Sequence, residues 1–562
     1  MKKNSRISLF LLNIGLFISA IFLFLIFTGC QSSKSVVVVP RWDKYECVLK
    51  SSIKYTNPVQ QATLTATFVS PLGEKRTVYG FWDGGDVWKI RFMPDIAGKW
   101  TFTTDCSDKS NSGLDGKSGS FICTASKNNN RFTTHGAIRI SRDRRYLEHQ
   151  DLTPFFWLAD TAWNGPLIST DEEWDFYLRT RASQKFTAVQ WVATQWRAAP
   201  DGDIDGRLAY SGREKIEINP EFFQRLDKKV EQMNRYGLLS APVLLWAFGG
   251  GSQPGVNPGI SLPEDQAIIL ARYIVARWQG YHVVWILNGD GNYTGERSEK
   301  WRRIGRAVFE NIYHAPVTQH PGGRMWILNE FIDEKWYDIC GYQSAHNESD
   351  SNLKWIVFGP PSQDWKRQPY RPFISLEAPY ENHQGDKGQM SADVVRRAHY
   401  WSLLNAPTAG ITYGGHGVWG WDDGTRPPVD HPGSGKPLPW QKALFMPGAQ
   451  QMRYLYEFFT SIDFYRLRPD PDIIVNQPAD IRKHISAARS ENKDLIVLYA
   501  PDNQTIELKL DALTQMQKSP NMTWHNPRTG KSMPAVAIIT DKTCQIPVPE
   551  KGDWLLLIKA AE

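Results

Sequence analysis

Six cysteines are few for 562 residues, and no two of them form a CxxC pair of the metal-binding kind. Cys30 closes an apolar leader, which leaves Cys47, Cys106, Cys123, Cys340 and Cys544. Cys106 and Cys123 fall close together in a β-rich stretch, where a bridge and two free buried thiols both fit. No HxH or HxxxH pair occurs, so the histidines offer no recognisable metal centre and no cofactor is implied. No GxSxG elbow occurs, which argues against an esterase. No GxxxxGK[ST] phosphate loop follows any strand candidate, and the one GxGxxG, Gly415–Gly420, follows the last of them rather than the first, where a doubly wound nucleotide-binding sheet carries it. Basic runs are missing after the first few residues. The formal charge is +6, and Lys2, Lys3 and Arg6 carry half of it, so nucleic acid is not an expected partner.

Aromatic residues are plentiful: Trp 23, Tyr 21 and Phe 26. Such rings fill cores, and their flat apolar faces also suit stacking on sugars. The length predicts about three domains. Residues 1–30 read as a targeting segment, with Lys2, Lys3 and Arg6 as its positive start and a long apolar run up to "FTGC". This resembles a bacterial lipoprotein signal in which Cys30 becomes the lipid-bearing first residue. An uncleaved membrane anchor is the competing reading. Both export and tether the chain, which points to a bacterial cell envelope, facing the outer membrane or the periplasm.

Three patterns follow in order. From about residue 40 to 125, alternating segments such as "ATLTATFV" and "GKWTFTT" predict a small antiparallel sandwich. From 131 to 468, apolar strand candidates alternate with amphipathic helices such as "PEFFQRLDKKVEQMNRYG" and "SADVVRRAHYWSLLNA". Eight such strands predict a (β/α)₈ barrel, so the overall class is α/β with flanking β-sandwiches. From 473 to 562, short strands return in "KDLIVLYAP" and "DWLLLIKA", a second sandwich expected to buttress the barrel.

Barrel enzymes carry their chemistry at the C-terminal ends of the strands. The first end offers Asp160 and Trp163, the second Gln190, Gln195 and Trp196, and the third Trp246. The fourth, "VVWILNGDGNY", ends at Asn288 and Asp290. The fifth offers His320 and the sixth Gln343 and His346. The seventh, "FISLEAPYEN", ends at Glu377 with Tyr380 and Glu381 beyond, and the eighth offers Tyr413, His416 and Trp419. Carboxylates on the fourth and seventh ends stand across the mouth from one another. One can protonate a leaving oxygen while the other attacks or activates water, which is what glycoside cleavage needs. The glycines beside Asp290 are expected to let the backbone turn sharply there.

The ordered set "WLADTAWN", "VVWILNGD", "HPGG", "YQSAH", "LEAPYE" and "TYGGHGVWGW" resembles the apiosidase-type family of bacterial glycoside hydrolases. That family has an immunoglobulin-like domain before the barrel and a collagen-binding-type β domain after it. The resemblance implies Asp290 and Glu377 as the catalytic pair, and exo-removal of apiose from a pectic side chain as the known family activity. Carbohydrate is then the expected partner. Asp160, Asn288, Gln195, His320, Gln343, His346, Tyr380 and Tyr413 are candidates for hydrogen bonds to it, and Trp163, Trp246 and Trp419 for stacking. Asp290 is expected to act as general acid and Glu377 as nucleophile with retention of configuration, the carboxyl groups standing about 5–5.5 Å apart. A carbohydrate-binding lipoprotein without turnover is the alternative. A lyase would call for Arg and Lys at the strand ends, which lack them.

Overall fold

The computed structural model describes residues 36–561 apart from 503, 517 and 518. The leader and Cys30 lie outside the described residues. Among those described, no helix is long and apolar enough to cross a membrane.

Strands between Val38 and Thr124 form one strongly folded seven-stranded sheet. Lys75–Trp82 pairs with Leu64–Val69 through its first half and with Val87–Phe92 through its second. The sheet therefore folds over itself, and Tyr45 at one edge stacks on Phe121 at 4.2 Å. The inward alternation read from "ATLTATFV" supplies this core, with Leu64, Ala66 and Phe68 buried. All five described cysteines are free. The register explains why Cys106 and Cys123 do not bridge: Cys123 lies opposite Gly98, at the other end of the strand from Cys106.

Eight parallel strands follow: β1 (Trp157–Thr161), β2 (Ala188–Val192), β3 (Leu239–Trp246), β4 (Trp285–Gly291), β5 (Val317–Pro321), β6 (Cys340–Gln343), β7 (Phe373–Glu377) and β8 (Gly410–Tyr413). Their order is β5-β4-β3-β2-β1-β8-β7-β6. The two ends meet where Ile339 N donates to Val317 O at 3.1 Å and Thr318 Oγ1 donates to Ile339 O at 2.9 Å. The sheet thus closes into a (β/α)₈ barrel. Helices α1 (Asp171–Ser183), α2 (Pro220–Arg235), α3 (Glu264–Trp278), α4 (Arg297–Phe309), α5 (Leu328–Phe331), α6 (Asp350–Phe358), α7 (Ala392–Leu404) and α8 (Pro447–Thr460) each follow one strand. Local signals start them. Thr170 and Glu173 form a reciprocal capping box on α1, and Asn219 caps α2 ahead of Pro220. Helix α2 buries Phe222, Phe223, Leu226, Val230 and Met233 along one stripe, each contributing about 1.5–3 kcal/mol of burial.

From Leu467 to Ala560, a six-stranded and a three-stranded sheet enclose a separate core. Buried polar pairs tie both flanking domains to the barrel. Arg91 donates to Asp227 of α2 at 2.7 Å, and Arg277 of α3 donates back to Asp83 at 2.8 Å. At the other side, Arg396 of α7 holds Asp553 through two bonds of 2.7 and 2.8 Å. Tyr400 of α7 stacks on Tyr499 at 4.8 Å. The C-terminal domain therefore braces the helix that follows β7.

Candidate active site

Strand β4 runs through the NGDG motif rather than ending before it. Its register against β5 slips twice. Ile286 faces Thr318, Gly289 faces His320, and Gly291 faces Pro321. Each slip adds one residue to β4, and bulges of this kind re-aim the side chain they carry. Asp290 is the residue added at the second slip, with φ +51°, a left-handed conformation that aspartate tolerates better than most residues. The flanking glycines do not make the turn, as neither has a positive φ; this corrects the sequence expectation. They make room instead. A Cβ at Gly289 would come within 2.4 Å of the Trp246 ring, and one at Gly291 within 2.5 Å of the Tyr293 hydroxyl. Strand β7 also slips, since Tyr342 faces Ser375 but Gln343 faces Glu377. Both carboxylates are thus presented by irregular strand ends.

Their surroundings push them in opposite directions. Asp290 is raised to about 6, first by burial and then by the negative charge of Glu377. Gln343 Nε2 donates to Asp290 Oδ1 at 3.3 Å and opposes that rise. Glu377 is also buried, 6% exposed. Burial alone would raise it, yet it is held below the usual carboxylate range by two imidazoles. His346 Nε2–H donates to Oε1, and His320 Nε2 stands 3.1 Å from Oε2. Tyr380 packs on His346 at 4.3 Å, its buried hydroxyl without a partner among the described residues. Such a pair can hold a proton on one carboxyl while the other stays charged.

A collar of rings runs from His320 round to His346, the two imidazoles that meet at Glu377. His320 of β5 meets Trp163 beyond β1 at 5.4 Å, and Trp163 meets Trp246 of β3 at the same distance. Trp246 meets Trp196 beyond β2 at 4.4 Å, and Trp196 meets His431 in the loop after β8 at 5.9 Å. His431 packs edge-on against Trp419 at 4.9 Å, and Trp419 stacks on His416 at 5.9 Å. His416 meets His383 at 5.1 Å, and His383 meets His346 at 4.9 Å. Burial keeps these outer imidazoles neutral, His416 and His431 lowered to about 4 and His383 to about 3. Among the described residues, no group of three or more His, Cys, Asp and Glu has metal-holding geometry.

Asp290, His320, Gln343, His346, Glu377, Tyr380, Trp163, Trp246 and Trp419 come together in this way. Asn288 is fully buried, with Nδ2 donating to Gln319 Oε1 at 2.9 Å and Oδ1 without a partner among the described residues. Three expectations fail. Asp160 points away from the mouth and is buried behind the wall, bonded by Arg181 of α1 at 2.7 Å and Tyr177 at 2.8 Å. Tyr413 lies beside it in register and also faces outward, donating to Glu381 at 2.6 Å. Glu381 in turn receives Gly448 N and Ala449 N at the start of α8. Gln195 is a loop staple, bonded to Tyr210 O and Ala209 N. Period-2 alternation explains the first two, because Asp160 and Tyr413 share the parity that faces the helices. His383 and His431 were missed. They sit in long loops next to Asn, Asp, Gly and Pro, with no periodic signal to mark their direction.

A closed (β/α)₈ barrel with two oppositely tuned carboxyls across its C-terminal mouth has the architecture of a glycoside hydrolase. The chain belongs to the family described as "Apiosidase-like, catalytic domain", which matches residues 141–466, more than half its length. It is accordingly a glycoside hydrolase with a carbohydrate substrate. Residues 38–107 match a domain of unknown function, and residues 468–559 match a family named for a collagen-binding segment of a collagenase. No curated protein matches. Among solved structures, one described as a glycoside hydrolase is 20% identical with a TM-score of 0.67, covering 76% of this chain and 98% of that one. A Bacteroides vulgatus glycoside hydrolase family 5 protein is 21% identical with a TM-score of 0.65, covering 76% and 94%. A second Bacteroides vulgatus chain, assigned as a glycoside hydrolase, is 17% identical with a TM-score of 0.68, covering 93% and 100%. At these identities the likeness concerns the fold.

Proposed function

We propose that the protein is a retaining glycosidase in which Asp290 is the general acid/base and Glu377 the nucleophile. The observation that supports a protonated and an ionised partner is that His346 and His320 hold Glu377 while Asp290 is buried beside that charge; retention is the part that the first-formed anomer decides. In the first step a Glu377 oxygen bonds to the anomeric carbon as the glycosidic C–O bond breaks, and the Asp290 proton passes to the leaving oxygen. In the second, Asp290 takes a proton from water, the hydroxide oxygen bonds to that carbon, and Glu377 leaves as carboxylate. His346 and His320 steady the Glu377 charge between turnovers. The Asp290 carboxyl keeps its proton up to mildly acidic pH because burial, and then the charge of Glu377, make ionising it costly.

The family's name points to apiose, and plant pectic side chains are the substrate class. Turnover of an apiose-bearing pectic oligosaccharide by residues 31–562, abolished in Glu377→Ala, is the expected result. Glycan binding with no turnover in the unaltered protein would instead make this a binding lipoprotein. We further propose export and anchoring through lipid on Cys30. Cys30→Ala should abolish fatty-acid label on the protein, and label persisting in that variant would contradict the anchor.

A further inference from the structure

The loop after β8 and the loop after β3 both wall the mouth, and one side chain fastens them together. Asp430 stands at φ +56° in the first. Its carboxylate accepts Ser252 N at 2.7 Å and Ser252 Oγ at 2.6 Å from the loop after β3. It also accepts Arg197 Nε at 2.8 Å from beyond β2, and Arg197 Nη2 donates to the Asp430 carbonyl. The Arg197 and Asp430 side chains are 9% and 5% exposed. Gly251 gives the carboxylate its seat, since a Cβ there would lie 2.1 Å from Asp430 Oδ2.

The next residue is His431, which links the collar between Trp419 and Trp196. Its Nδ1–H donates to Val429 O at 2.8 Å. That bond fixes the tautomer, so Nε2 of the neutral ring is an acceptor, and no described residue donates to it. A half-buried acceptor, held between two indoles in the mouth of a glycosidase, suits a sugar hydroxyl. Resting on the glycosidase reading above, we propose that His431 Nε2 accepts a substrate hydroxyl, and that Asp430 is a positioning residue. Asp430 acts by clamping three strand-end loops so that His431 is pre-aimed.

The test is steady-state kinetics on an apiose-bearing pectic oligosaccharide, with thermal melting alongside. His431→Ala should raise KM by about tenfold at little cost in kcat, the loss of one hydrogen bond and its orientation. Asp430→Ala should do the same, and so should Gly251→Ala, which displaces the carboxylate from the opposite loop. Asp430→Asn should recover part of the loss. The double variant Asp430→Ala/His431→Ala should be no worse than His431→Ala alone, because the clamp acts through that ring. Additive effects, or an unchanged KM in His431→Ala, would overturn the proposal. So would a loss tracking only a lower melting temperature. These outcomes are separable from failure of the glycosidase reading, in which the unaltered protein and Glu377→Ala would show the same turnover.

Discussion

The ends of β4 and β7 and the ends of β1 and β8 look alike in sequence, each an apolar run closing on an acid or a tyrosine. Their fates differ. Asp290 and Glu377 open to the mouth, whereas Asp160 and Tyr413 are sealed behind the barrel wall. Strand parity decides this, together with the slips that break it. β1 and β8 keep even register, so Asp160 and Tyr413 fall side by side on the helix-facing side. β4 and β7 each gain a residue before their acids, which re-aims them. The lesson is that an acid's chemistry here follows from which side of an irregular strand end it reaches. Asp160 is buried against a guanidinium and a tyrosine hydroxyl that occupy it, while Asp290 is raised first by burial and then by a neighbouring carboxylate.

The sharpest way to break this contrast is to remove one acid of each kind. Glu377→Ala should lose turnover by about 10⁴-fold or more, with little change in melting temperature. Azide should restore some activity by giving a glycosyl azide of inverted configuration. Asp290→Ala should lose roughly 10²–10⁴-fold on a natural leaving group and far less on an activated aryl glycoside, where protonation matters little. Asp160→Ala should behave in the opposite manner. It strands the fully buried Arg181 guanidinium, which should cost about 3–5 kcal/mol of stability, read by denaturant unfolding. The enzyme that remains folded should keep its kcat.

A smaller effect concerns pH. Activity requires Asp290 protonated, so it should fall as pH rises through about 6. The acidic limb should lie below the usual carboxylate range, because Glu377 ionises early. Gln343→Leu removes a bond that favours the Asp290 carboxylate. The basic limb should then move to higher pH, by a fraction of a unit. A shift to lower pH would mean that Gln343 does not hold the charged form.

The strand ends and helices of the barrel were legible because period and punctuation are local. Asn219 with Pro220 announces α2, and "FISLE" ends where Glu377 does. The acids on β4 and β7 were legible through their barrel positions. The role of the NGDG glycines was not, since it depends on a Trp246 ring contributed by another strand. The outward turn of Asp160 was latent in simple alternation and was missed by reading only the strand end. His431 could not be found from its own neighbours, because its direction is fixed by Arg197 and Ser252 on two distant loops.

The central claim is that the two carboxyls work as acid and nucleophile. The most direct measurement is an NMR time course of the unaltered enzyme on an aryl apioside, recording the anomer that forms before mutarotation. The account predicts that the first-formed sugar has the configuration of the substrate. A first-formed product of inverted configuration would contradict it and make Glu377 a base acting through water.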